Sequence, residues 1–359
     1  MSALAEALQA RLARGPLPAA EVMDLALYHP GGYYRRATGP WGFAGADYYT
    51  ALDLGPLLGE ALAVRLAQAW ERLGRPEPFV VLEPGAGRGW LGRDLLRAAG
   101  RPGLEAFCRA LRYLHRDDNP AAATAAREAL APFLAAGQAA LVAQDEPLPP
   151  FRGAIISNEL FDALPAQPWR WDGSRWQFEA LDASGPVWLP GGPCPATDWF
   201  TAQAEGGLES GDGAPWCEAM PALVADLIGC LEAGLFLTID YGESAGRLVD
   251  KGADLRRYRG HEVDGRWWEQ LGACDLTADV DFTRLQRLLE AAGLAGAGHR
   301  SLSGWIRAHA PLARWEADWQ DLDGATRKQL MENLLQLTLP TLMGDRFRVL
   351  EAWKELGHI

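Results

Sequence analysis

The segment Val80-Val81-Leu82-Glu83-Pro84-Gly85-Ala86-Gly87-Arg88-Gly89 constrains the fold of this 359-residue chain more than any other. An apolar run ends in an acid, and three glycines at alternate positions lead into a helical pattern from Trp90 to Ala99. Glycine adopts positive φ freely and lets a ligand come close to the backbone. Such a turn at the carboxyl end of a strand is where open α/β sheets bind ligands. Gly87-Arg88-Gly89-Trp90-Leu91-Gly92 also fits the G-x-G-x-x-G form of a dinucleotide loop. Glu83 separates the two ligand classes. A carboxylate there suits the ammonium and sulfonium of S-adenosylmethionine, whereas a pyrophosphate is held by a helix N-terminus and repelled by an acid. A dinucleotide and a tight turn without ligand stand as the alternatives.

The rest of the pattern agrees with a doubly wound, mostly parallel α/β fold. Short apolar runs at 79–82, 111–115, 139–143, 154–156 and 235–239 alternate with helical patterns at 90–99, 120–136 and 219–232. Strand, helix, strand at this spacing requires crossovers and a sheet covered on both faces. Ahead of it, two short helices flank Gly15-Pro16, and Leu58, Leu62, Leu66, Ala69 and Leu73 share one face of a long helix, with Asp53 or Thr50 as its cap. Trp169 to Phe178 alternates around Asp172-Gly173, the signature of a hairpin. Residues 183–215 read as loop, 243–280 as polar and turn-rich, and 282–291, 326–337 and 347–352 as two helices and a last strand. The partition expected is 1–75 as a helical cap with substrate-side loops, 76–168 with 217–359 as the core carrying special loops at 243–281, and 169–216 as an insertion.

Composition excludes several roles. Thirty-four Lys and Arg against 47 Asp and Glu leave a net charge of −13, which disfavours nucleic acid and anionic lipid. The five cysteines form no C-x-x-C pair, so neither a disulfide framework nor a metal centre is expected, and free thiols point to a reducing cytosol. The most apolar stretch, 227–239, contains Glu232 and Gly234 and falls short of a membrane span, and the first residues lack the apolar core of a signal peptide. Most of the 15 tryptophans follow residue 160, which marks an aromatic-rich substructure in the second half.

Further acids complete a candidate site. Asp117 after the second strand suits ribose hydroxyls, with a helix cap before Pro120 as the plain alternative. Asp145 after the third run suits an adenine amino group, or is a solvated turn residue. After the fourth strand, Asn158 can bind a nucleophilic nitrogen, and Glu159 and Asp162 can hold a cation or take a proton. The same two acids are also favoured simply in the first turn of a helix.

Taken in order, these motifs resemble the MidA-like methyltransferases, a family that includes the mitochondrial complex I assembly factor that methylates arginine. The resemblance rests on Tyr28-His29-Pro30 with Gly32-Tyr33-Tyr34, Asp47-Tyr48-Tyr49-Thr50-Ala51 with Gly59-Glu60, the Glu83–Gly89 loop, and Asn158-Glu159-Leu160-Phe161-Asp162-Ala163-Leu164-Pro165. Asp240-Tyr241-Gly242, the 255–261 segment ending in His261, the 275–282 segment and Met343-Gly344-Asp345-Arg346-Phe347 complete it. Many relatives carry Glu followed by Ser-Pro where this chain has Asp117-Asp118-Asn119-Pro120, so Asp118 competes for the ribose role.

The resemblance implies a seven-stranded, Rossmann-like class I methyltransferase sheet with an N-terminal helical cap. It implies S-adenosylmethionine held by Glu83, Gly85, Gly87, Gly89, Asp117, Asp145 and Thr50. Glu159, Asp162, Asn158, Asp240 and His261 become catalytic candidates, and Tyr33, Tyr34 and Tyr49 line the acceptor pocket. The activity implied is protein-arginine N-methylation in the cytoplasm. The partner is a protein substrate such as a respiratory-complex subunit, and a homodimer is compatible with the chain. The alternatives are methylation of a small molecule or another side chain, and a non-catalytic assembly protein that only binds the cofactor.

Overall fold

The computed structural model describes residues 2–35, 51–259 and 262–356, so the expectations placed on Tyr49, Thr50 and His261 lie outside the described residues. The chain divides into two compact units, one of Met1–Tyr49, Phe161–Leu223 and Tyr241–Arg287, the other of Thr50–Leu160, Val224–Asp240 and Leu288–Ile359.

The second unit carries the main sheet. Its strands are β1 (Phe79–Pro84), β2 (Leu111–Arg116), β3 (Ala139–Val142), β4 (Phe151–Asn158), β5 (Leu231–Glu243, whose last three residues fall in the first unit), β6 (Ala295–Ser301) and β7 (Phe347–Lys354). They lie in the order β3-β2-β1-β4-β5-β7-β6. The pairs β3/β2, β2/β1, β1/β4 and β4/β5 are parallel, and β6/β7 is antiparallel. The apolar runs seen in the sequence form the middle of this sheet. Ala154, Ile155 and Ile156 on β4 and Leu235, Phe236, Leu237 and Ile239 on β5 are fully buried. Both faces are covered, so these strands read as continuous apolar runs. Each large side chain buried this way stabilises the fold by about 1.5–3 kcal/mol.

The helix Leu57–Arg72 lies against the helix Trp90–Ala99. Gly59 makes the approach possible, because a Cβ there would stand 2.7 Å from Asp94 Cβ. Its neighbour Glu60 is buried and accepts from Arg101 Nη2 at 2.6 Å and Trp315 Nε1 at 2.6 Å. The Gly59-Glu60 motif therefore has a packing role. Asp53 does not cap this helix. It sits in a 3₁₀ turn, Ala51–Leu54, and pairs instead with Arg88.

The first unit holds the helices Ala3–Leu12 and Ala19–Tyr28 and two antiparallel sheets. The expected hairpin forms with Trp169 opposite Phe178 and Trp171 opposite Trp176. The stretch expected as loop at 183–215 instead contains the strand Gly185–Pro190, the helix Pro195–Gln203 and the strand Gly213–Trp216. Its prolines mislead because Pro186 and Pro190 lie on an edge strand, where no ladder donor is needed. Pro195 begins a helix whose entry is closed by Thr197 Oγ1 accepting from Cys194 N at 2.9 Å. Trp176, Phe200 and Ala214 form a core there, with Trp169, Trp171, Trp199 and Trp216 packed round it. The segment 243–280 contains the helix Ala245–Lys251 and a sheet of Leu255–Arg259, Glu262–Asp264 and Asp275–Ala278.

Candidate functional site

In the second unit, the glycine turn closes the end of β1. Gly85, Gly87 and Gly89 all have positive φ, at 64°, 51° and 67°, and Gly89 stands just before the helix Trp90–Ala99. A Cβ built at Gly87 meets nothing within 4 Å among the described residues, whereas one at Gly85 would stand 2.9 Å from Leu160 Cδ1 and one at Gly89 3.1 Å from Leu130 Cδ1. Arg88 leans away from it, donating to Asp53 Oδ1 at 2.9 Å and lying 3.6 Å from the centre of the Trp90 ring. The motifs gave no hint of this arginine clamp.

Glu83 is buried at the floor of the turn and accepts from Tyr113 Oη at 2.5 Å. Burial pushes its carboxyl up to about 8, against the lowering effect of the Tyr113 hydroxyl, and Asp117 adds to the rise. The Tyr113 phenol is itself raised, by burial and by Glu83. A cation at Glu83 would offset this desolvation.

Asp117 is half-buried where Asp118 is exposed. Its Oδ2 accepts from Gly87 N at 2.8 Å and its Oδ1 from Asn119 N at 2.8 Å. Burial raises its carboxyl and these two bonds oppose the rise. The helix cap before Pro120 is Asn119, whose Oδ1 accepts from Ala121 N at 2.9 Å, so the acid is left to the glycine turn. Asp117→Asn keeps the size but loses bonds to a charged acceptor, worth about 1.5–3 kcal/mol each. Calorimetric titration is expected to show cofactor affinity lowered by roughly tenfold to a hundredfold. An unchanged dissociation constant would move the ribose role away from Asp117. Asp145, by contrast, is exposed in the turn after β3.

The ends of β4 and β5 meet beside β1. Glu159 takes a left-handed backbone, φ 53°, while its N–H donates to Ile239 O at 2.9 Å. A non-glycine residue in this region costs about 1–3 kcal/mol, and such residues cluster at functional sites. Asn158 Nδ2 donates to Glu159 Oε1 at 2.9 Å, which orients the carboxylate. Asn158 Oδ1 is buried without a hydrogen-bond partner among the described residues, an acceptor that suits a ligand donor. Asp240, fully buried on β5, accepts from Leu160 N at 3.1 Å and so fixes the peptide after Glu159.

The remaining expected residues belong to the first unit. Asp162 is buried, its carbonyl accepts from Ala278 N at 3.0 Å, and its charge acts on the Arg256 guanidinium. Arg256 in turn pairs with Asp279 at 2.7 Å. Burial would raise the Asp279 carboxyl, but Arg256 and Lys251 outweigh it and hold it below the usual range. Tyr34 donates to Asp275 Oδ1 at 2.8 Å, and Tyr28 donates to Ala163 O at 2.8 Å, which joins two of the sequence motifs. Tyr33 is only 1% exposed. It packs in the interior of this unit rather than presenting a face to an acceptor.

The donor set in the second unit fits S-adenosylmethionine. A buried carboxylate, an amide oxygen unmatched among the described residues and the open approach to Gly87 suit a cationic ligand without phosphate.

Comparisons with known proteins agree. Over 391 residues the chain is 25% identical to the Protein arginine methyltransferase NDUFAF7 homolog, mitochondrial, of Drosophila melanogaster, covering 97% of this chain and 84% of that one. It is 24% identical to the Protein arginine methyltransferase NDUFAF7, mitochondrial, of Homo sapiens, over 93% of this chain and 79% of that one. A crystal structure of a "likely methyl transferase" from Burkholderia thailandensis, bound to S-adenosyl-homocysteine, superposes with a TM-score of 0.83 at 26% identity, over 99% of this chain and 93% of that one. Residues 61–300 match the family described as "Putative S-adenosyl-L-methionine-dependent methyltransferase", and the chain belongs to this family.

Proposed function

We propose that this S-adenosylmethionine-dependent methyltransferase modifies an arginine side chain of a protein. The observation that carries the reading is the Asn158–Glu159 corner, a carboxylate held in a strained backbone and oriented by an amide. The relatives named as protein arginine methyltransferases support it. When bound, S-adenosylmethionine supplies the methyl group as an electrophile. The protein does the rest. A guanidinium reaches the site protonated, so methylation requires an acidic side chain that holds the cation and receives the proton. Glu159 fills that role. Asn158 keeps its carboxylate turned, and Asp240 acts as a positioning residue through Leu160 N. Asp162 with Arg256, Tyr34 on Asp275, and the first-unit residues 2–35 and 169–216 are assigned to the acceptor side. The five free cysteines suit a reducing compartment such as the cytosol.

The test is transfer of label from radioactive S-adenosylmethionine into a cell lysate, with wild type and Glu159→Ala compared, and mass spectrometry of the labelled product. Methylarginine in a protein that disappears with Glu159→Ala is the expected result. Label in a small molecule, or in another side chain, would redirect the acceptor assignment. Cofactor binding with no transfer to any acceptor would leave a binding protein.

A further inference from the structure

The strand beside the glycine turn carries a residue that the cofactor motifs do not explain. His115 is 1% exposed on β2, in register with Glu83 on β1 and Leu141 on β3. A buried imidazole is costly unless its polar atoms are bonded. Its Nε2 lies 2.8 Å from Gly87 O. A carbonyl only accepts, so Nε2 carries the proton and donates.

Two residues further along the same strand direction, Asp117 accepts from Gly87 N. Residues i and i+2 of an extended segment face the same side. Between them, Arg116 O accepts from Ala86 N at 3.3 Å. The peptide groups on both sides of Gly87 are thus held from the end of β2, at a residue whose left-handed φ of 51° is free in an unrestrained glycine.

We propose that His115 is a positioning residue for the cofactor, which fixes the Gly87 carbonyl and so presets the turn before S-adenosylmethionine arrives. Ordering a loop during binding lowers affinity, and a preset loop avoids that loss. The inference rests on the glycine turn being the cofactor site.

The test compares His115→Leu and His115→Gln with wild type. Leucine fills space without a donor, and glutamine places an amide N–H near the original Nε2. S-adenosylhomocysteine titrated calorimetrically is expected to bind His115→Leu about tenfold more weakly, the effect of one lost hydrogen bond. His115→Gln is expected to recover most of that loss. Hydrogen exchange in the cofactor-free protein should speed up in the peptide covering 85–89 in His115→Leu, while β4 stays protected. An unchanged dissociation constant for His115→Leu, or equal weakening in both variants, would overturn the proposal. If His115→Leu does not fold, fast exchange of the 85–89 amides in wild type would overturn it instead. A wild type that binds no S-adenosylhomocysteine would refute the cofactor site, and the exchange result would still judge the clamp.

Discussion

Glu83→Gln is expected to make the cofactor-free protein more stable at pH 8 and at the same time to cost it most of its affinity for S-adenosylmethionine. The carboxyl titrates near 8 in the fold against 4.5 unfolded. Between those values the folded state holds a proton that the unfolded chain has released. Stability contributed by the protonated form is therefore complete below about pH 4.5 and is lost as pH rises through 8, at up to about 1.4 kcal/mol per unit. Glutamine mimics the neutral acid and escapes the loss. Thermal melts from pH 5 to 8.5 should show wild type falling relative to Glu83→Gln. Binding runs the other way. A ligand ammonium needs an ionised partner, so wild-type affinity should rise from pH 6 towards 8 and binding near pH 7 should release up to one proton. Above about 8 the α-amino group of the ligand itself deprotonates and the gain ends. Calorimetry in two buffers of different ionisation enthalpy reads the proton directly. Parallel melting curves together with proton-neutral binding would place the ligand cation elsewhere.

The same residue shows why part of the site could be read from the sequence. Glu83 and the three glycines alternate along one short segment, and local constraints on a turn are written locally. The central strands were equally legible, because burial on both faces leaves 154–156 of β4 and 235–237 of β5 as apolar runs. What the sequence hid depends on contacts across long separations. β2 is polar for a buried strand because Tyr113 and His115 reach β1 and the turn that follows it, as does Asp117 just beyond the strand's end. The strand Ala295–Ser301 is mostly small or polar residues and owes its conformation to pairing with β7. Tyr33, in an aromatic motif beside a glycine pair, looked like a pocket wall and is interior packing. Asp145 had a plausible place after a strand, but β3 ends at Val142 and the acid points to solvent.

Glu159→Gln is expected to abolish most methyl transfer while leaving cofactor binding close to normal. The amide retains an oxygen that can accept from Asn158 Nδ2, so the corner should keep its shape. Glu83, Asp117 and the glycine turn are unaltered, which predicts a cofactor dissociation constant within a few-fold of wild type. What disappears is the negative charge and the proton acceptor. Positioned acid–base groups contribute roughly 10²- to 10⁴-fold, and the loss should fall on kcat, the signature of an interaction that strengthens in the transition state. Equal weakening of cofactor binding by Glu159→Gln and Asp117→Asn would instead make Glu159 a cofactor ligand. Glu159→Gly sharpens the test. At φ 53° a side chain is a liability, and its removal should stabilise the fold by about 1–2 kcal/mol. An enzyme that melts higher, binds its cofactor and transfers nothing is the outcome expected if this backbone strain is retained for the carboxylate it presents. A Glu159→Gly protein that is less stable than wild type would mean that the side chain holds the corner together, and the strain would then need another explanation.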